Sequence, residues 1–105
     1  MTPPLRAALS ALTLAALAAP PALAQDVNLA RNLAATCANC HGTNGNARGD
    51  MKPLAGLQAD KIVAMMNDFR SGALPATIMH QIAKGYTDEQ IRLVAGYFAA
   101  QQPKK

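Results

Sequence analysis

Residues 33–50 read LAATCANCHGTNGNARGD, and at their centre CANCH runs from Cys37 to His41. Two thiols stand three positions apart, with an imidazole directly after the second. Three chemistries use such a set: a redox-active dithiol, part of a zinc site, and covalent attachment of haem. A redox dithiol sits at the start of a helix that follows a strand, where the helix dipole lowers a thiol pKa. Here the cysteines close a helical stretch and no strand-like alternation precedes them. A structural zinc site takes four ligands, usually in two pairs. The chain offers Cys37, Cys40, His41 and one further histidine, His80, with no other cysteine. Haem attachment remains, and C-x-x-C-H is its signature. Each thiol adds to one of two neighbouring vinyl groups on the porphyrin edge, and two intervening residues span that gap. The histidine that follows is brought under the iron, so His41 is the expected proximal ligand. Its Nδ1–H needs an acceptor that fixes the ring, and the carbonyl of Pro53 is the expected one.

The chain has 105 residues, enough for one small domain. Residues 1–24 read as a secretory signal peptide that is cleaved. One cation, Arg6, precedes a mostly apolar run from Ala7 to Ala19, then Pro20 and Pro21, then the small-x-small pattern Ala22-Leu23-Ala24. That run is shorter than the ~20 residues that span a bilayer. The mature domain is therefore expected over residues 25–105, exported to a periplasm. Much of the 50% apolar content lies in the leader, and the rest contains four aromatic residues and no Trp. So small a domain needs a staple, and a buried apolar cofactor supplies one. The formal charge is +4, from ten cations scattered along the chain, which is no nucleic-acid footprint. The basic end, QQPKK, reads as a frayed, solubilising tail.

No repeat and no strand-length alternation is visible, and the strongest period is helical. Asp26 is expected to cap a first helix that carries Leu29, Leu33 and Cys37 on one face. Gly42 to Gly56 holds four glycines and a proline, so it reads as a loop anchored by Leu54 and Leu57. A second helix is predicted from about Ala59 to Arg70, with Ile62, Met65, Met66 and Phe69 at i, i+3, i+4 and i+7. Ser71-Gly72 ends it, and Pro75 breaks the chain beyond. A short helical turn around Ile78 to Lys84 stops at Gly85. Thr87 to Gln90 has the capping-box order, and opens a last helix whose Ile91, Val94, Ala95 and Phe98 share a face.

An iron that only carries electrons keeps a sixth ligand. Met79, 38 residues after His41 and past a proline-broken segment, can reach the opposite side of the haem. Its neighbour His80 is the competitor; its other reading is a solvated loop residue. Met65 and Met66 read as core, and Met51 lies awkwardly close to His41 in sequence. Lys52, Lys61, Lys84, Arg48 and Arg70 are candidates to steer an acidic partner.

Beyond the residue readings, the chain resembles the small class I bacterial cytochromes c. The likeness rests on CANCH, GTNGN, PLAG and ATIMHQIAKGYTDEQI, followed by AGYFAAQ in the terminal helix. The segment MMNDFRSGALPATIM and the xxIAKGYTDEQI that follows are similar to the one-haem cytochrome subunit of flavocytochrome c sulfide dehydrogenase. The resemblance implies an all-α class I cytochrome c fold, with N- and C-terminal helices packed together around one covalently attached haem c. It implies thioethers at Cys37 and Cys40 and axial ligands His41 and Met79. It further implies an electron carrier that is not itself an enzyme, periplasmic, and served by a flavin-containing sulfide dehydrogenase chain. The alternative is a free soluble cytochrome c that shuttles electrons between respiratory complexes and a terminal oxidase. No strand–glycine-rich-turn–helix unit for flavin is present in the sequence. Nucleic-acid binding and stable membrane insertion after leader cleavage are not expected.

Overall fold

The computed structural model describes residue 1 and residues 28–105. The expected leader beyond Met1 and the expected cap Asp26 lie outside the described residues. Among the described residues the regular structure is helical, with no strand: α1 (Leu29–Ala35), α2 (Ala38–His41), a single 3-10 turn (Thr43–Gly45), α3 (Ala59–Ser71), α4 (Met79–Lys84) and α5 (Asp88–Ala99).

The helix expected to run through Cys37 divides instead at Thr36. The Thr36 hydroxyl donates to the Leu33 carbonyl at 3.2 Å. The Cys37 N–H bonds to Ala34, three residues back rather than four. This tightens the chain into a 3-10 step, and Cys37 becomes the N-cap of α2. The Thr36 proton is spent on Leu33, so the Tyr86 hydroxyl donates to Thr36 Oγ1, 2.8 Å away. The turn before the cysteines is thereby fixed from the far end of the chain.

α5 is the organising element because its apolar face is continuous. Ile91, Val94, Ala95 and Phe98 are all buried, as their i, i+3, i+4, i+7 spacing requires. α1 and α3 both pack on α5, and α4 packs on α3. The core joins Ala34 of α1 and Ile62 of α3 to Val94, Ala95 and Phe98, with Leu33, Leu54, Leu57 and Met66 half-buried against it. Ala34 and Ala95 are small enough to let α1 and α5 approach closely. In the loop, Leu54 and Leu57 touch the core as expected, but the buried residue is Ala55 between them.

The capping box at α5 is complete: Thr87 Oγ1 accepts from the Gln90 N–H, and Gln90 Oε1 accepts from the Thr87 N–H, at 3.1 and 3.0 Å. Thr87→Ala should cost about 1 kcal/mol, and so lower Tm by about 4–8 °C in a domain of this size. Thermal unfolding followed by circular dichroism checks this.

Two expectations are corrected here. Arg70 is not a free steering cation. Its guanidinium bonds Asp88, the Asn67 side chain and the Tyr86 carbonyl, joining the end of α3 to the start of α5. The hydrogen bond from Arg70, and then its charge, hold the Asp88 carboxyl below its ordinary pKa. The basic tail is not frayed either. Asn46 Nδ2 donates to the Gln102 carbonyl and Asn46 Oδ1 accepts from the Lys104 N–H. The reason is that Pro103 fixes the backbone between the two bonded residues.

Candidate haem-attachment site

The site grows from the short helix α2. Cys37 caps it, Cys40 lies within it, His41 is its last residue and Gly42 ends it. One turn therefore carries all three side chains. Cys37 is half-buried and Cys40 exposed, and both are free thiols. Burial pushes the Cys37 thiol above its ordinary pKa, and a hydrogen bond with Thr36 offsets this in part.

The His41 ring is held from one side. Its Nδ1 lies 2.6 Å from the carbonyl oxygen of Lys52. A carbonyl only accepts, so Nδ1 carries a proton, which leaves Nε2 as the ring nitrogen able to offer a lone pair to a metal. That is the tautomer a metal-binding imidazole needs. The acceptor was expected at Pro53 and is instead one residue earlier. The N–H groups of Leu54 and Ala55 both bond to the Gly45 carbonyl, at 2.8 and 3.1 Å. This anchors the turn just past the proline. A residue before proline is confined to extended backbone, and the Lys52 carbonyl, which acylates the Pro53 nitrogen, is the one presented to His41.

Met79 is half-buried at the first position of α4, on a different element from His41. His80, second in α4, is also half-buried, and its Nδ1 is shielded from solvent without a hydrogen-bond partner. It is not a solvated loop residue. The reason is that α4 starts at Met79, which places His80 in a helix that packs on α3. Met51 is exposed, while Met65 and Met66 are half-buried on α3, with Met66 against the core. Ile78 is 57% exposed immediately before Met79, a large apolar side chain left at the surface.

The sequence reading missed two side-chain links around the site. The Tyr97 hydroxyl donates to Asn44 Oδ1 at 2.6 Å, so α5 holds the 3-10 turn just past Gly42. Asn44 adopts φ 55° there, a conformation asparagine tolerates better than most residues. Its place between glycines in GTNGN was the available signal. Asn46 is the second link.

The donor set fits covalent haem. Among the described residues no three His, Cys, Asp or Glu side chains converge as a metal-binding group. Two unpaired thiols on one turn, with an adjacent imidazole whose Nδ1 proton is already engaged, match a porphyrin bound at two points and ligated through Nε2.

No family profile matches the chain. Over 63% of its length it is 41% identical to the cytochrome subunit of sulfide dehydrogenase of Chlorobaculum tepidum, spanning 60% of that protein. It is 32% identical to cytochrome c-554(548) of Halomonas halodenitrificans over 64% of its length, spanning 86% of that protein. Among solved structures, a cytochrome c4 of Acidithiobacillus ferrooxidans superposes with TM-score 0.59 at 36% identity, covering 61% of this chain and 37% of that one. Motif, tautomer, helical architecture and these likenesses converge: the chain belongs to the cytochrome c family, whose members transfer electrons through a covalently bound c-type haem and are not themselves enzymes.

Proposed function

We propose that residues 25–105 form an exported, periplasmic one-haem electron carrier, released from a leader over residues 1–24, that serves a sulfide-oxidising flavoprotein as its cytochrome subunit. Cys37 and Cys40 hold the haem, and His41 and Met79 ligate its iron. When bound, the haem supplies a one-electron couple. The residues of the chain do the rest. Lys52 holds the His41 ring by its Nδ1 proton and raises the basicity of Nε2. Met79 adds a neutral thioether, which favours the reduced state. The buried faces of α1, α3 and α5 exclude water from one flank. No described helix is long and apolar enough to cross a membrane.

The observation that carries the electron-carrier reading is the fixed His41 tautomer within C-x-x-C-H. The sulfide assignment is supported by the 41% identity to a sulfide dehydrogenase cytochrome subunit. Gel filtration of the native periplasmic fraction tests the partner. The haem-bearing chain should co-elute with a flavin-containing chain in equal amounts, and stay with it as ionic strength rises. Elution alone, without flavin at any ionic strength, would instead make it a free shuttle, associating only through screened charge contacts.

A further inference from the structure

The arch formed by residues 46–56 is tied at both ends to the C-terminal segment. At one end, the Asn46 side chain pairs with the tail much as a peptide unit does. Its Nδ2 donates to the Gln102 carbonyl at 3.2 Å, and its Oδ1 accepts from the Lys104 N–H at 2.6 Å. The residue between, Pro103, has no N–H to leave unsatisfied. At the other end, the Pro103 ring rests on Gly56, where an added Cβ would lie 2.7 Å from Pro103 Cγ. The Gly56 N–H also bonds the Phe98 carbonyl at 2.9 Å, which fixes this end to α5. The apex of the arch, residues 48–52, is exposed. Its one recorded hydrogen bond to the haem-attachment turn is Lys52 to His41.

We propose that the C-terminal segment 102–104 is a clasp that keeps the Lys52 carbonyl on His41, and that Asn46 is a positioning residue for the axial imidazole. The proposal rests on the reading of His41 as an iron ligand. The Leu54 and Ala55 N–H groups on the Gly45 carbonyl and the Gly56 N–H on Phe98 anchor one side of the arch, but the exposed stretch 48–52 that leads from Asn46 to the Lys52 carbonyl opens readily when its other side is loose. Two bonds to Asn46 and the contact at Gly56 remove that freedom. The clasp therefore acts on the iron through two intermediaries, the arch and the imidazole proton. A firmly held Nδ1–H makes Nε2 a stronger donor and stabilises the oxidised iron. Loosening the clasp raises the reduction potential.

The test uses the haem-loaded protein in three variants: Asn46→Ala, a chain that stops after Gln101, and Thr87→Ala, which weakens the fold away from the arch. Proton NMR follows solvent exchange of the His41 Nδ1–H and of the Leu54 and Ala55 amides, and a redox titration gives the potential. Both clasp variants should speed exchange of the His41 proton by about fivefold to tenfold, the loss of one ordinary hydrogen bond's protection, and raise the potential. Thr87→Ala should melt early and move neither. If both clasp variants keep the wild-type exchange rates and potential, the clasp proposal is overturned while His41 ligation stands. If the wild-type His41 proton shows no shift from a bound iron, the ligand reading fails instead. The Leu54 and Ala55 amides then decide the clasp by themselves, with faster exchange supporting it and unchanged exchange refuting it. Should Asn46→Ala not fold, the truncated chain, which retains Asn46, gives the same readings.

Discussion

Met79→Ala should abolish the weak far-red thioether–iron band of the oxidised protein and lower its reduction potential by on the order of 0.2 V, within the about 0.8 V that axial ligation spans among haem proteins. A thioether is a soft, neutral donor that favours ferrous iron, and alanine offers no donor at all. Water or a stronger nitrogen donor then takes the sixth position, and the reduced protein binds carbon monoxide readily. His80→Ala should retain the band. These two variants separate the proposed His/Met ligation from its rival, because His80 presents a shielded, unpartnered Nδ1 one position away on the same helix. A band that persists in Met79→Ala would assign the sixth position to another methionine, whereas a low-potential spectrum that lacks the band and changes only in His80→Ala would assign it to the imidazole.

Gly42→Ala should remove a large share of the stability of the domain. Gly42 follows the proposed iron ligand and turns the chain out of α2 at φ 79°, ψ 163°. That region is essentially closed to residues with a Cβ and costs about 1–3 kcal/mol. A Cβ there would also lie 2.0 Å from the Asn46 carbonyl oxygen and 2.6 Å from its carbon. Both are backbone atoms, so no side chain can swing aside. Together these effects should cost about 3–5 kcal/mol, a large share of the about 5–15 kcal/mol that holds a domain together. In a host that matures c-type haem, the yield of haem-linked protein should fall at least about tenfold. Urea denaturation of whatever protein is recovered should show a lower midpoint with an unchanged slope. A wild-type midpoint would mean that the turn can be rebuilt at little cost.

Much of this was legible in the sequence because helical periodicity and punctuation agree along the second half of the chain. Ala59 to Gly85 and Thr87 to Phe98 carry their breakers and apolar faces in plain order, α3 and α4 begin and end within a residue of expectation, and α5 opens at its capping box. The attachment motif is equally local, so Cys37, Cys40 and His41 could be named at once. What escaped reading was set by contacts across the chain. Which carbonyl meets His41 depends on how Gly45 gathers the N–H groups of Leu54 and Ala55, and nothing in KPLAG announces that pairing. The binding of the tail depends on Asn46, more than fifty residues earlier, and a short basic terminus looks the same in sequence whether fastened or loose. Arg70 looked available because its partner Asp88 lies two helices further on. Local patterns name the elements, while the links between loops come from closure of the fold.

The pairing of α1 with α5 also orders events during biosynthesis. The core that holds Ala34 and Leu33 is completed only when residues 91–98 have left the ribosome. Until then, α1 lacks the helix on which it packs, and the loop that must close is nearly the whole domain. The export proposed above is served by this order, because α1 gains the helix it packs on only once α5 has been made.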